Sequence, residues 1–244
     1  MKPTPTSPSD AAPLLAFGAH PDDIEFGCGG VIARETRAGR PVHFVVCSRG
    51  EAGTHGTPAQ RTAEARKAAQ ILGATLEFIK LDGDAHLEIR AAHALKLAAI
   101  IRRLRPGIVL APTVEQNQHP DHWRLGTLVR DAARLARYGG VKELRRAKPH
   151  AIGQLFFYAV SPDAEPRDVT PVFIDVSEVH HIWYDAMEAH KSQLTKARPH
   201  HILQMARASM LGQRVGIPAA QALWPNDPLV FDSLAPLTRP SRLF

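Results

Sequence analysis

An apolar run leads directly into a polar loop early in the chain. Residues 14–17, Leu-Leu-Ala-Phe, predict a buried strand. Pro21 ends that strand because proline has a fixed φ and no N–H to donate. His20, Asp22 and Asp23 are therefore predicted to lie at the carboxyl end of a core strand, the edge at which ligands collect in open α/β sheets.

A second cluster of histidine and aspartate follows a similar run. His119, Asp121 and His122 come after the strand-like residues 108–112 and precede a helical pattern. Two such clusters on equivalent strand-to-helix loops can converge on one ion, and surface loops have no structural need for this arrangement. The pairing predicts a metal site whose ligands, two imidazoles and one carboxylate, are His20, Asp23 and His122.

These donors are typical of a hydrolytic metal centre. Three protein ligands leave a position open for water, whose pKa falls to about 7 on Zn²⁺. Asp22 is predicted to be the general base that accepts a proton from this water. A protonated His119 is predicted to stabilise an oxyanion and to protonate a leaving amine, with Asp121 holding its tautomer and charge. Fe²⁺ also tolerates this ligand set, and availability decides between the metals.

Strand-like and helix-like patterns alternate along the chain, which predicts right-handed crossovers and a doubly wound, mostly parallel α/β sheet. Prolines become frequent after Gly212 and predict a packed but irregular C-terminal extension. Residues 1–12 are expected to be a disordered or extended leader, and residues 13–244 a single domain. The predicted strands are 14–17, 41–47, 75–79, 108–112, 155–160 and 172–176, and the predicted helices begin near 31, 58, 91, 119, 178 and 201.

Composition excludes some classes of function. No apolar run approaches the ~20 residues that cross a bilayer, and the N-terminal residues lack the apolar core of a secretory signal. Cys28 and Cys47 have no metal-type spacing and are predicted to be reduced thiols. A cytoplasmic enzyme without a membrane partner fits these features.

The net charge of +6 raises the question of an anionic partner. Residues 123–148 contain eight basic and two acidic side chains. No aromatic residues are interleaved as stacking platforms, so nucleic acid is not expected. The segment is interpreted either as a solvated helix face or as a field that steers an anionic small substrate.

The two clusters together resemble the PIG-L/LmbE family of zinc-dependent N-acetylglucosaminide deacetylases. Further matches include Gly27-Cys28-Gly29-Gly30, Arg61-Thr62-Ala63-Glu64 and His190-Lys191-Ser192-Gln193. The resemblance implies the same metal ligands and general base as above, and it adds Arg61 as an arginine that binds sugar hydroxyls. It also implies a Rossmann-like, lactate-dehydrogenase-type sheet and a homo-oligomer such as a hexamer.

The resemblance is strongest to the branch that deacetylates N-acetylglucosaminyl-malate in bacillithiol biosynthesis, which implies an anionic amino-sugar substrate. Residues 114–118 lack the tyrosine that some members place before the second cluster, and residues 219–244 depart from this branch. A different N-acetylated sugar or small amide therefore stays open as the substrate. Two other hypotheses are a non-haem iron(II) oxygenase, which shares the donor set, and a non-catalytic sugar-binding protein.

Overall fold

The computed structural model describes residues 11–194 and 199–239, so most of the expected leader lies outside the described residues. Its helices are α1 Asp23–Arg37, α2 Pro58–Ile71, α3 Ala91–Leu104, α4 Pro120–Arg137, α5 His180–Glu188 and α6 His200–Arg214. Its strands are β1 Leu14–Gly18, β2 Val42–Val46, β3 Thr75–Phe78, β4 Ile108–Pro112, β5 Gln154–Tyr158, β6 Val172–Asp175 and β7 Ala220–Pro225. In these residues no helix is long and apolar enough to cross a membrane.

The seven strands form one sheet in the order β3-β2-β1-β4-β5-β7-β6. The first five in this order run parallel, and the chain reverses its direction of winding between β1 and β4. This confirms the predicted α/β class with a mostly parallel sheet. The carboxyl ends of β1 and β4, where both clusters begin, are neighbours at this switch point.

Every residue of β1 is buried, because helices cover both faces of the sheet. Alternate side chains of a strand point to opposite faces. Leu15 and Phe17 accordingly pack in the core with α3 and α4, whereas Leu14 and Ala16 pack in the core with α1 and α5. The central strand that carries His20 is thus held from both sides.

The expectation of an irregular C-terminal extension is wrong for Ala220–Pro225. These residues form β7, which lies between β5 and β6 and is antiparallel to both. Proline at its final position, Pro225, ends the strand without removing an N–H from its interior. A short buried strand between proline-rich segments has no clear local signal, because pairing with distant residues stabilises it.

Helix α1 begins at Asp23, earlier than the sequence predicts, and is kinked at Cys28. The glycines around the kink allow close packing by aromatic rings. Tyr158 covers Gly27, and Trp183 covers Gly29 and donates its indole N–H to the carbonyl of Glu25 at 2.6 Å. The glycine-rich stretch therefore serves packing directly behind the polar loop.

Gly27→Ala is expected to destabilise the fold by about 1–3 kcal/mol through overpacking. An added Cβ lies 2.1 Å from Cδ2 of Tyr158, and that ring cannot withdraw because it is fully buried and its hydroxyl donates to the carbonyl of Phe17 at 2.7 Å. Urea denaturation monitored by circular dichroism measures the loss. Gly140→Ala is the matched control, since its Cβ meets no atom within 4 Å. Equal stability of the two variants would contradict the packing argument.

Candidate metal centre

The three predicted ligands converge at the switch point. Nε2 of His122 lies 3.0 Å from Oδ1 of Asp23 and 3.2 Å from Nδ1 of His20. Nδ1 of His20 lies 3.5 Å from Oδ2 of Asp23. All three side chains are buried, so two loops that are about a hundred residues apart in sequence point their donor atoms at one place.

The first turn of α1 fixes the carboxylate of this group. Oδ2 of Asp23 accepts the backbone N–H groups of Ala19 and His20, both at 2.8 Å. These bonds leave Oδ1 facing His122. The loop that contains Pro21 therefore orients the carboxylate of Asp23 toward His122.

The other ring nitrogen of His20 faces two further carboxylates. Its Nε2 lies 3.0 Å from Asp84 and 3.3 Å from Asp121. Carboxylates that accept from Nε2–H leave Nδ1 free to bind a cation, and such outer carboxylates commonly orient metal-binding histidines. Backbone N–H groups hold both carboxylates in turn, Ala52 for Asp84 and Ala85 for Asp121.

The structure differs from the sequence-based roles of Asp121 and His119. The carboxylate of Asp121 contacts His20 rather than His119. Nδ1 of His119 instead accepts the backbone N–H of Asp121 at 3.2 Å and caps α4, so this nitrogen carries no proton. Burial and the neighbouring His20 and His122 also lower the pKa of His119. Both features favour a neutral ring with its hydrogen on Nε2, and the protonated His119 expected from the sequence stays a prediction.

The charge balance of the site fits a divalent cation. The site contains four carboxylates, one of which is the donor Asp23, and Arg61 is the one arginine or lysine among the described residues that line the cavity. Burial opposes a charge on His20, yet Asp23, Asp121 and Asp84 raise its pKa well above the usual value. Zn²⁺ or Fe²⁺ suits two imidazoles and a carboxylate. The four carboxylates are Asp22, Asp23, Asp84 and Asp121.

Two other groups of donors share His20. The ring nitrogens of His20, His119 and His122 lie within 4.8 Å of one another, and so do the donor atoms of His20, Asp84 and Asp121. His119 is thus near enough to act as an alternative ligand. The carboxylates of Asp84 and Asp121 face Nε2 of His20, whereas Nδ1 of that ring faces His122 and Asp23, which favours an orienting role for Asp84 and Asp121.

Asp22, the predicted general base, has an unusual backbone conformation. Its φ of 155° is rare for any residue other than glycine, and such outliers cluster at functional sites. Its carboxylate lines the cavity and accepts from Nη2 of Arg61 at 3.2 Å. Burial raises the pKa of Asp22 to about 6, although the positive charge of Arg61 acts in the opposite direction. A carboxylate with this pKa can accept a proton and return it near neutral pH.

Arg61 is buried under the loop between β2 and α2. A Cβ on Gly50 or Gly53 would lie 2.1 or 2.7 Å from Nη1 of Arg61, so a side chain at either position would displace the guanidinium, and Gly50 also has a φ of 72°. The guanidinium donates to the carboxylate of Asp22 and to the carbonyl of Gly50, the latter at 3.4 Å. Its contact with Asp22 orients that carboxylate, whereas the resemblance implies only that Arg61 binds sugar hydroxyls. Its Nε is buried without a hydrogen-bond partner in the part of the chain that the structure describes.

The segment His190–Gln193, one of the sequence matches to the family, contacts both this loop and α2. Ser192 donates both its backbone N–H and its hydroxyl to the carboxylate of Glu64, at 2.9 and 2.6 Å. The side-chain amide of Gln193 donates to the carbonyl of His55 at 2.9 Å. Since Glu64 lies one turn after Arg61 on α2, the segment supports the helix that positions the Asp22 contact.

Ser192→Ala is expected to lower the free energy of unfolding by about 1.5–3 kcal/mol, because it removes a hydrogen bond to a charged group. Thermal and urea denaturation of the full chain measure the change. Ser209→Ala, on the exposed side of α6, is the control and is expected to stay within about 0.5 kcal/mol of the parent. If both variants have the same free energy of unfolding as the parent, the hydroxyl hydrogen bond from Ser192 to Glu64 contributes nothing to stability.

The site opens into a cavity of about 360 Å³. This volume lies in the usual range for small-molecule sites. None of the basic side chains of residues 123–148 lines it, so the cavity adds no direct contact to the interpretation of this segment as a steering field. Beyond the charged cluster, its walls include Phe26, Thr54, Val160, His200 and Gln204.

Asp84 is the site residue that sequence reasoning missed. It lies in the turn Asp82-Gly83-Asp84, where aspartate is common for conformational reasons alone. The available signal was position, since this turn follows a parallel strand at the same edge of the sheet.

Comparisons with known proteins agree with this architecture. The PIG-L family model, described as GlcNAc-PI de-N-acetylase, matches residues 15–133. The solved structure of the conserved protein TT1542 from Thermus thermophilus is 30% identical, with a TM-score of 0.79 over 90% of this chain and 97% of that one. Diacetylchitobiose deacetylase of Thermococcus kodakarensis is 29% identical over 76% of this chain and 71% of its own length. 4-Oxalmesaconate hydratase of Pseudomonas putida is 28% identical over 85% and 84%, respectively.

The fold and the site define an α/β protein with a candidate metal centre at the carboxyl edge of its sheet. The chain belongs to the PIG-L family, and the matched region contains both clusters and Arg61. The resemblance drawn from the sequence is confirmed at this level.

Proposed function

We propose that the protein is a metal-dependent hydrolase that removes the acetyl group from an N-acetylated amino sugar. The observation that carries this proposal is the position of Asp22, whose carboxylate lines the same cavity as the converging donors of His20, Asp23 and His122 and accepts from Arg61. A base in this position serves the activation of water. The similarity to a diacetylchitobiose deacetylase supports an amide of an amino sugar as the substrate.

In the proposed reaction, Asp22, Arg61 and His119 have separate roles. His20, Asp23 and His122 would hold a Zn²⁺ or Fe²⁺ ion, which would supply Lewis acidity toward the acetyl carbonyl and lower the pKa of a water molecule. Asp22 accepts the proton of the attacking water while Arg61 holds its carboxylate in place. The neutral His119 donates Nε2–H to the developing oxyanion. Asp22 returns its proton to the nitrogen as the C–N bond breaks, which gives acetate and a free amine.

The finer proposal is the malate conjugate of N-acetylglucosamine, as in bacillithiol synthesis. It rests on the sequence resemblance, and the charged segment 123–148 adds no contact to it. A homo-oligomer, including a hexamer, and a cytoplasmic location likewise stay predictions.

Hydration of a carbon–carbon double bond is the second candidate. It is favoured by the similarity to 4-oxalmesaconate hydratase, which extends over more of this chain than the similarity to the deacetylase. Both reactions need a base that activates water, so Asp22 does not separate them. They differ in their products, because only deacetylation releases an amine.

The test uses the full chain loaded with Zn²⁺ or Fe²⁺ and measures primary amine with fluorescamine. N,N′-diacetylchitobiose, N-acetylglucosamine and N-acetylglucosaminyl-malate are compared under the same conditions. 4-Oxalmesaconate is assayed in parallel by its loss of ultraviolet absorbance. Amine release supports the deacetylase, and turnover of the malate conjugate alone supports the finer proposal. Turnover of 4-oxalmesaconate without amine release would replace the proposal with a hydratase.

A further inference from the structure

A second cavity lies at the end of the sheet opposite the metal centre, next to the amino ends of the parallel strands. It has a volume of about 230 Å³ and is bounded by the second half of α4, the start of β5 and the residues after β7. Gln154 is the first residue of β5, which runs parallel to β1, so this cavity adjoins the amino ends of the strands. Arg134 is twelve residues from His122 on the same helix, or about 18 Å along its axis.

The cavity is rich in positive charge. Arg130, Arg134 and Arg137 line it from one side of α4, and Asp227 is the one carboxylate among the lining residues that the structure describes. These arginines belong to the basic segment 123–148, whose charge the metal centre does not use.

The guanidinium groups are available to a ligand. Arg130 is half-buried, yet neither it nor Arg134 forms a hydrogen bond or ion pair with any described residue. Arg137 is more engaged, since its guanidinium lies over the ring of Tyr138, 5.2 Å from the centroid, and makes a long contact of 3.4 Å with the hydroxyl of that residue. Asp227 does not neutralise them within ion-pair distance and instead accepts from the side-chain amide of Asn226 at 2.8 Å.

The lining restricts the ligand that fits. Guanidinium forks match the geometry of carboxylate and phosphate oxygens. The amide of Gln154 adds a further polar group whose oxygen is buried without a partner in the described chain, and rotation of the amide can present its N–H₂ to the cavity. No aromatic side chain of the described residues lines the cavity, so they offer no stacking surface for a nucleobase.

We propose that this cavity binds a small polyvalent oxyanion, a phosphate or a di- or tricarboxylate, through Arg130 and Arg134. The site is separate from the catalytic cavity, since the two share no lining residue. The proposal does not depend on which reaction the metal centre performs.

Isothermal titration calorimetry of the full chain with citrate and, separately, with pyrophosphate at constant ionic strength tests it. EDTA-treated protein is used, so that neither anion is read out through a bound metal. We expect saturable binding of at least one anion, and binding about tenfold weaker in the double variant R130Q/R134Q. Binding of citrate but not pyrophosphate identifies a carboxylate ligand, and the reverse identifies a phosphate.

The control is R145Q/R146Q, which removes the same charge from exposed positions of the same segment outside the cavity. Equal weakening in both double variants would show a diffuse charge effect and overturn the proposal, as would the absence of saturable binding to the parent chain. The single variant Arg134→Gln, at an exposed position, keeps the test valid if R130Q/R134Q unfolds. Sedimentation of each variant checks oligomeric state, and binding lost only through dissociation of an oligomer would also overturn the site.

Discussion

Asp22→Asn is expected to lower kcat by about 10²- to 10⁴-fold, the usual contribution of a general base, while the protein keeps its metal. The amide has nearly the shape of the carboxylate but cannot accept the proton of water. Asp23, which forms part of the converging group, keeps both of its backbone hydrogen bonds in this variant. Activity is measured with whichever substrate the parent turns over, and metal content by plasma mass spectrometry.

Asp163→Asn provides the matched control, because it removes the same charge from an exposed position outside the cavity. This variant is expected to turn over at the parent rate. A fully active Asp22→Asn enzyme would remove Asp22 as the base. A variant that loses metal together with activity would instead make Asp22 part of the ion's support.

His122→Ala is expected to abolish both metal binding and activity. It removes one of the two imidazoles that meet at Asp23 and leaves that carboxylate with His20 as its remaining histidine neighbour. Loss of the site also removes the stabilisation that metal gives the parent, about 2.7 kcal/mol when free metal is a hundredfold above its Kd. Zinc titration against a chromophoric chelator and thermal unfolding with and without Zn²⁺ measure the two effects.

His181→Ala, an exposed position on α5, is the control and is expected to retain metal and activity. Tight stoichiometric zinc in His122→Ala would refute the proposed ligand set. His119 lies near enough to substitute, so the double variant lacking His119 and His122 distinguishes substitution from a different site.

Some element boundaries and the convergence of the two clusters could be predicted from the sequence, because local patterns specify them. The boundaries of α3 at Ala91 and Leu104 and of β4 at Ile108 and Pro112 agree with prediction, since apolar periodicity and the Arg105-Pro106-Gly107 break specify them within a few residues. The convergence of the two clusters follows from the rule that parallel strands present their carboxyl ends at one edge.

Features that depend on long-range contacts could not be predicted from the sequence. Whether Asp121 faces His20 or His119 depends on how the turn around Ala85 packs against α4, and no local spacing encodes that. Asp84 looks like an ordinary turn residue until the fold brings it to His20. The basic residues of α4 are obvious in sequence, but which end of the helix faces the metal centre is decided by the topology of the sheet.

The position of β7 has a consequence for synthesis of the protein on the ribosome. All the residues of both clusters have been translated by residue 122, yet the edge of β5 stays without its partner until residues 220–225 emerge. β6 pairs with β7 in the sheet, and Gln221 supplies the side-chain oxygen that accepts the N–H of Val31 beside the kink in α1. A nascent chain can therefore assemble the metal-binding loops early, but it exposes an unpaired strand until the last part of the sheet arrives, the stage at which aggregation competes with folding.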